Sequence, residues 1–387
     1  MRRRPGSQWH FGRRGVATIA MVFTAAACAG GDGASLGPSD ETASAAPPSI
    51  VSPGVGGGSS SPAVTREPWA GTGADEFQNP VIDRNYADPF VLRDGDRYVA
   101  YATGDLTYNI QASVSDDLVN WTPRKEALPR LPFWQPSSKG LTWAPEVVQT
   151  SAGYVMHYTG RDVQAGRQCL GVAVAASAEG PFVDDSDVPL LCQLDLGGSI
   201  DSSPFQDVDG RRYLLWKSDG NCCGIPVAFY IQPLSDDGLK VEGEPTRLEG
   251  IAADRAWERI LVEAPTLYLH DGTYFLFFSA NDYNSRDYAV GYATSNKLLG
   301  PYVDAGDNPI LTTEVPFGSP AGSPAGPGHQ SVVLDDDGDP WLVYHAWDSG
   351  RIGDQVGGRR AMWLDELVFD GDNVSVLGPD AGPQTRP

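Results

Sequence analysis

Ala87-Asp88-Pro89-Phe90-Val91 is the first of five versions of one phrase, and the other four decide the fold. They are Ala144-Pro145-Glu146-Val147-Val148, Asp201-Ser202-Ser203-Pro204-Phe205, Glu263-Ala264-Pro265-Thr266-Leu267 and Gly328-His329-Gln330-Ser331-Val332. Each runs into a turn glycine (Gly95, Gly153, Gly210, Gly272, Gly338) and then an aromatic-rich run such as Tyr274-Phe-Leu-Phe-Phe278. Short alternating apolar runs bounded by Gly, Asp and Pro are strand-and-turn chemistry. No long amphipathic helix is legible. A unit of about 60 residues holds four antiparallel strands, which is one propeller blade. Five units therefore predict an all-β, five-bladed β-propeller. A β-sandwich is the alternative, but it leaves the recurrence of acids in phase unexplained.

The phase points to a site. Asp201, Glu263 and His329 each stand nine residues before their turn glycine, and Asp88 and Glu146 each stand seven before theirs. If the first strand of each blade lines the axis, these side chains converge on one mouth. Carboxylates gathered in an aromatic-rimmed cleft suit glycosidic bond cleavage. One acid protonates the leaving oxygen, and one carboxylate activates water. A third can hold the acid's proton by like-charge repulsion.

Outside the repeats the chain changes character. Arg2, Arg3, Arg4, Arg13 and Arg14 precede an apolar run from Val16 to Ala27, and Cys28 follows three alanines. Residues 1–28 read as a secretory signal, with Cys28 resembling a lipoprotein cleavage box although Ala25 stands where Leu is usual. Residues 29–74, rich in Gly, Ser, Pro and Ala, read as a disordered tether. The propeller is expected over 75–378, with a tail over 379–387. Beyond Cys28 there are 23 basic against 50 acidic residues, a net charge of −27. That charge argues against nucleic acid or an anionic membrane surface as a partner. Membrane association is expected only through the Cys28 anchor. Cys169, Cys192, Cys222 and Cys223 allow two disulfides. Cys169–Cys192 is the favoured pair, leaving Cys222 and Cys223 as a vicinal bond or reduced. None has zinc-site spacing.

The chain resembles glycoside hydrolase family 43, in its arabinanase and arabinofuranosidase branch. The phrases that carry this are Asn79-Pro-Val-Ile-Asp-Arg-Asn-Tyr-Ala-Asp-Pro-Phe90, Thr142-Trp-Ala-Pro-Glu-Val147, Gly198-Ser-Ile-Asp-Ser-Ser-Pro-Phe205, Leu261-Val-Glu-Ala-Pro265, Gly326-Pro-Gly-His-Gln-Ser331 and Tyr344-His-Ala-Trp347. They occur in the family's order between about Asn79 and Leu377. Trp216-Lys-Ser-Asp-Gly-Asn221 looks like the arabinan-active branch.

The resemblance implies an inverting hydrolase with Asp88 as general base, Glu263 as general acid and Asp201 tuning and orienting the acid. It implies that Glu146 is a structural acid. It also implies that His329 lies beside a central calcium held through waters, with no organic cofactor. Phe90 and Trp143 are expected as sugar-stacking walls. Arg359 or Arg360 is expected to pair with sugar hydroxyls, its fork suiting a vicinal diol. His345 is expected as a core or supporting histidine.

The implied substrate is an α-L-arabinofuranosyl linkage in plant arabinan or arabinoxylan, acted on by a monomer at the cell surface or outside the cell. A β-xylosidase is the competing enzyme reading; family members of that kind often carry a further C-terminal β-sandwich. A non-catalytic glycan-binding lipoprotein is the third.

Overall fold

The computed structural model describes residues 75–387, apart from 260, 318, 320 and 321. The signal, Cys28 and the 29–74 tether lie outside the described residues.

The described chain is a five-bladed β-propeller. Blade 1 comprises Phe90–Asp94, Arg97–Thr103, Ile110–Ser115 and Lys125–Glu126; blade 2 comprises Thr142–Thr150, Gly153–Arg161 and Gln168–Ala175. Blade 3 is built from Ser199–Gln206, Arg212–Ser218, Phe229–Leu234 and Thr246–Arg247, and blade 4 from Val262–His270, Thr273–Ala280, Ala289–Ser295 and Val303–Asp304. Blade 5 contains Pro324–Leu334, Pro340–Asp348, Arg360–Asp370 and Asn373–Val376. All pairings within the blades are antiparallel. The helical pieces among the described residues are short 3₁₀ turns, at Leu194–Leu196, Gly220–Cys223 and Asp354–Val356.

The apolar core is divided as the blades are. Separate clusters fill the joints between blades 1 and 2, 3 and 4, 4 and 5, and 5 and 1. The joint between blades 2 and 3 is the smallest, with Leu170, Leu214, Trp216 and Leu234 at its centre. Cys169–Cys192 is bonded at the edge of the cluster between blades 1 and 2, and Cys222–Cys223 forms a vicinal disulfide.

The segment expected as a tail is part of the fold. Pro383–Thr385 pairs antiparallel with Glu76–Gln78. Close by, Asn79 donates to the Leu364 carbonyl (2.8 Å) and accepts from the Leu364 N–H (2.9 Å). Sequence reading set residues 379–387 apart as a tail. Their pairing is made by backbone groups, which composition does not report.

One local device repeats in blades 2 to 5. In the first strand two residues oppose one on the second strand, which is a β-bulge. The bulged pairs are Ala144-Pro145, Asp201-Ser202, Ala264-Pro265 and His329-Gln330. In blade 1 Asp88-Pro89 hold the matching place just before the strand, where the Thr103 N–H bonds the Ala87 carbonyl (3.0 Å). The first residue of each has positive φ, between 44° and 55°. Such backbone is uncommon outside glycine.

A neighbouring side chain satisfies the N–H of each first residue. Ala144 donates to Thr103 Oγ1 (2.9 Å), Asp201 to Thr159 Oγ1 (3.2 Å), His329 to Ser279 Oγ (2.7 Å) and Asp88 to His345 Nδ1 (3.1 Å). In each case the acceptor sits on the second strand of the preceding blade, so the bonds run from blade to blade around the hub. The exception is blade 4. Lys217 occupies the acceptor position in blade 3, and Ala264 donates instead to Asp201 Oδ2 (3.0 Å).

Candidate active site

The bulge sets which side chains meet. Asp201 and His329 are bulge residues, and Asp88 holds the matching place just before its strand. Glu263 is the residue before its bulge, in register with Trp143, Ile200 and Gly328. Glu146 is the residue after its bulge, in register with Phe90, Ser203, Thr266 and Ser331. The phase counted from the turn glycines is therefore corrected. Glu146 does not share the position of Asp88, and Glu263 does not share that of Asp201. The place of the glycine in the turn and the hairpin length are the reasons: Gly95 opens its loop, whereas Gly153 follows its loop and begins the next strand. The loops at 95–96, 151–152 and 271–272 have two residues, whereas those at 207–211 and 335–339 have five. The turn glycine is thus not a fixed ruler.

Asp88 is 9% exposed. Arg360 Nη1 lies 3.0 Å from its Oδ1, and the Thr103 hydroxyl donates to Oδ2. His329 Nδ1 is 3.4 Å from the same Oδ1. Burial pushes this carboxyl up, but the Arg360 guanidinium and then His329 outweigh it and hold Asp88 well below the usual range. His345 Nδ1 also lies 3.3 Å from Oδ1. That nitrogen accepts the Asp88 N–H, and burial pushes the ring down to about 4. His345 is therefore neutral, and its approach to Asp88 is not an ion pair.

Glu263 is 8% exposed. Tyr288 donates its hydroxyl to Oε1 (2.8 Å), and the fully buried Lys217 places Nζ 3.1 Å from Oε2. Burial raises the Tyr288 phenol far above its ordinary range, with the Glu263 charge adding to it, so it stays a donor. Gly328 makes room for that ring: a Cβ there would lie 2.1 Å from Tyr288. Asp201, 8% exposed, is raised by burial and by the Glu263 charge, with His329 and Lys217 opposing. Its bond to the Ala264 N–H seats it against the residue next to Glu263.

Residues 77–374 match the family described as "Glycosyl hydrolases family 43". The chain belongs to glycosyl hydrolases family 43. It is 32% identical over 283 residues to a β-xylosidase of Bacillus subtilis, covering 70% of this chain and 49% of that protein. The chain thus spans about half the length of that relative. It is 28% identical to extracellular endo-α-(1→5)-L-arabinanase 1 of the same organism, covering 69% of this chain and 81% of that protein. A crystal structure of a thermostable family-43 glycoside hydrolase superposes with TM-score 0.70 at 30% identity, covering 80% of this chain and 99% of that one.

In this family 43 chain the aromatic candidates part company. Trp143 is partly exposed and shares the register position of Glu263, which puts it at the same mouth. Phe90 stacks on Tyr101 and packs against the core between blades 1 and 2. The two arginines also separate. Arg360 reaches Asp88 with its guanidinium over the rings of Tyr283 and Trp347. Arg359 is on the surface, paired with Asp83 at 2.6 Å. Glu146 is pushed up to about 8 by burial, with Ser203 opposing and Asp201 adding, so it is protonated at neutral pH.

Among the described residues no three His, Cys, Asp or Glu side chains gather as a metal cage. Calcium takes six to eight oxygen ligands. The His329 surroundings do not offer these directly, so no step below runs through a metal.

Sequence reading missed Lys217, Tyr288 and Thr103. Lys217 stood within a quoted phrase, but nothing in its spacing announced a partner on blade 4. Tyr288 lies in a loop before the third strand of its blade and carries no motif.

Proposed function

We propose that the protein is an inverting hydrolase of α-L-arabinofuranosyl linkages in arabinan or arabinoxylan. The observation that carries the hydrolase reading is the convergence of Asp88, Asp201 and Glu263 from three blades, with Asp88 held ionised by Arg360. A base must stay ionised where the acid keeps its proton. Asp88 takes a proton from the attacking water. Glu263, positioned by Tyr288 and Lys217, gives one to the leaving oxygen. Asp201 stands beside Glu263 and orients it. Inversion requires the water to sit between Asp88 and the sugar.

Arabinan as substrate is supported by the Trp216–Asn221 phrase and by similarity spanning most of an endo-arabinanase. A β-xylosidase is the second reading, favoured by the 32% identity to one. A panel of aryl pentosides and polysaccharides separates the two. Asp88→Asn and Glu263→Gln should each lose about 100-fold or more in kcat on the best substrate while staying folded. Proton NMR should show the product released with inverted anomeric configuration. Retention, or variants as active as the parent, sinks the reading. Tight glycan binding with no product over days favours the non-catalytic alternative.

Export and a Cys28 lipid anchor belong to the same reading. No helix among the described residues is long and apolar enough to cross a membrane. Movement of a Cys28→Ala variant from the membrane fraction to the medium checks the anchor. A calcium beside His329 would have to be held through water.

A further inference from the structure

Beyond the three acids, a fourth carboxylate stands at this mouth without a partner. Asp219 follows the second strand of blade 3, two residues after Lys217. It is 8% exposed, yet among the described residues no hydrogen bond or ion pair reaches its carboxylate. Its oxygens are not among the sealed, unsatisfied polar atoms, so they keep contact with solvent. Asp219 holds the N-cap position of the Gly220–Cys223 turn but makes no side-chain capping bond. An Asp at that position usually spends its oxygens on the turn's own N–H groups. Here they are free for another donor.

The surroundings fix the residue in place. The Asp219 N–H donates to the Gly198 carbonyl (3.1 Å), and Cys222 and Ile225 close the turn onto the Asp219 and Gly220 carbonyls. Gly197 lies so close that a Cβ there would meet the Asp219 carbonyl oxygen at 2.5 Å. The Cys222–Cys223 bond ties the end of the same turn. Burial pushes the carboxyl up to about 6, with Lys217 opposing and Asp201 and Glu263 adding. Arg167 opposes it as well. The side of the site is set by geometry: Lys217, two residues earlier, reaches Glu263 Oε2 at 3.1 Å, and Gly198, which holds the Asp219 N–H, stands three residues before Asp201. The groups on Asp88 are different ones: Arg360, His329 and Thr103.

We propose that Asp219 is a substrate-contacting residue that accepts hydrogen bonds from hydroxyls of the sugar on the leaving-group side of the scissile bond. The geometry gives the side: Glu263 protonates the leaving oxygen, so a free acceptor beside Glu263 meets the residue that departs. A ring of sugar hydroxyls supplies the donors that the protein does not.

This inference rests on the glycosidase reading, and the experiment keeps the two apart. Asp219→Ala and Asp219→Asn are compared with the parent on arabinotriose and on methyl α-L-arabinofuranoside. Both have poor leaving groups that need protonation, but only the first carries a leaving sugar. Xylotriose and methyl β-D-xyloside are run beside them. Asp219→Ala should lose about 10- to 100-fold in kcat/KM on the trisaccharide, the usual worth of a hydrogen bond to a charged group. It should stay within about twofold on the methyl glycoside. Asp219→Asn, which keeps the shape and one acceptor, should fall between. Melting temperatures check that both variants fold. Equal losses on both substrates mean that Asp219 acts through Glu263, and the proposal is wrong. No loss on either also overturns it. A parent inactive on every substrate defeats the glycosidase reading itself.

Discussion

Asp88 and Arg360 carry the sharpest pH argument. Burial alone would push the Asp88 carboxyl up; Arg360, 3.0 Å away, is the main reason it lies well below its ordinary range. A base that must be ionised loses activity as pH falls through its pKa. Removing Arg360 leaves the upward push of burial, so the acid limb of kcat/KM moves to higher pH. For Arg360→Gln the expected displacement is about 1–3 pH units, the usual effect of an adjacent arginine on an aspartate. An unmoved acid limb with a raised KM would make Arg360 a sugar-binding group only. Sequence placed an arginine here but could not choose between neighbours 359 and 360. Arg360 opens its strand opposite Trp347 and turns inward to Asp88, whereas Arg359 stands just before the strand and turns to Asp83.

The bulged strand start is the element that builds the site, and it explains what the sequence hid. The five phrases were visible because Pro, Asp and Gly recur in them. The fold followed from that, since five strand-and-turn units leave few architectures. Phase was not visible, because hairpins have two or five residues and the glycine sits at different places in them. The bulge puts consecutive residues to different uses. In blade 4 Ala264 takes the left-handed backbone and the bond to Asp201, leaving Glu263 free to face Tyr288 and Lys217. Gly328, at the equivalent position of blade 5, is glycine for a steric reason. Gly328→Ala would put a Cβ 2.1 Å from the Tyr288 ring, so the ring must move and its bond to Glu263 is lost. Gly328→Ala and Tyr288→Phe should each lower kcat/KM, and the double variant should lose little more than the worse single one. Such non-additivity is expected of residues acting through one contact. Additive losses would mean that Gly328 is needed for something else.

At the scale of the whole molecule, stability is divided among five joints, and one is poorer than the rest. Between blades 2 and 3 only Leu170, Leu214, Trp216 and Leu234 are fully packed as a cluster. Part of the remaining contact is polar, such as buried His157 on the Gly238 carbonyl (2.9 Å). Cys169–Cys192, whose cysteines pack in the cluster between blades 1 and 2, closes a loop with a sequence separation of 23, and in that loop Leu190 and Leu191 bond to Leu170 and pack on this joint. Cross-linking a loop of that length contributes about 3 kcal/mol by limiting the unfolded chain. Cysteine spacing made the pair legible, but not what it protects. The Cys169→Ser/Cys192→Ser variant should therefore lose about 3 kcal/mol in chemical denaturation. Its amide exchange should rise first at Leu214 to Trp216 rather than uniformly. Asp201 enters the site from this same joint, so kcat should fall in the variant before global unfolding is reached on heating. Loss of protection spread evenly over all five blades would show that the disulfide acts on the unfolded chain alone and that the joint needs no local tie.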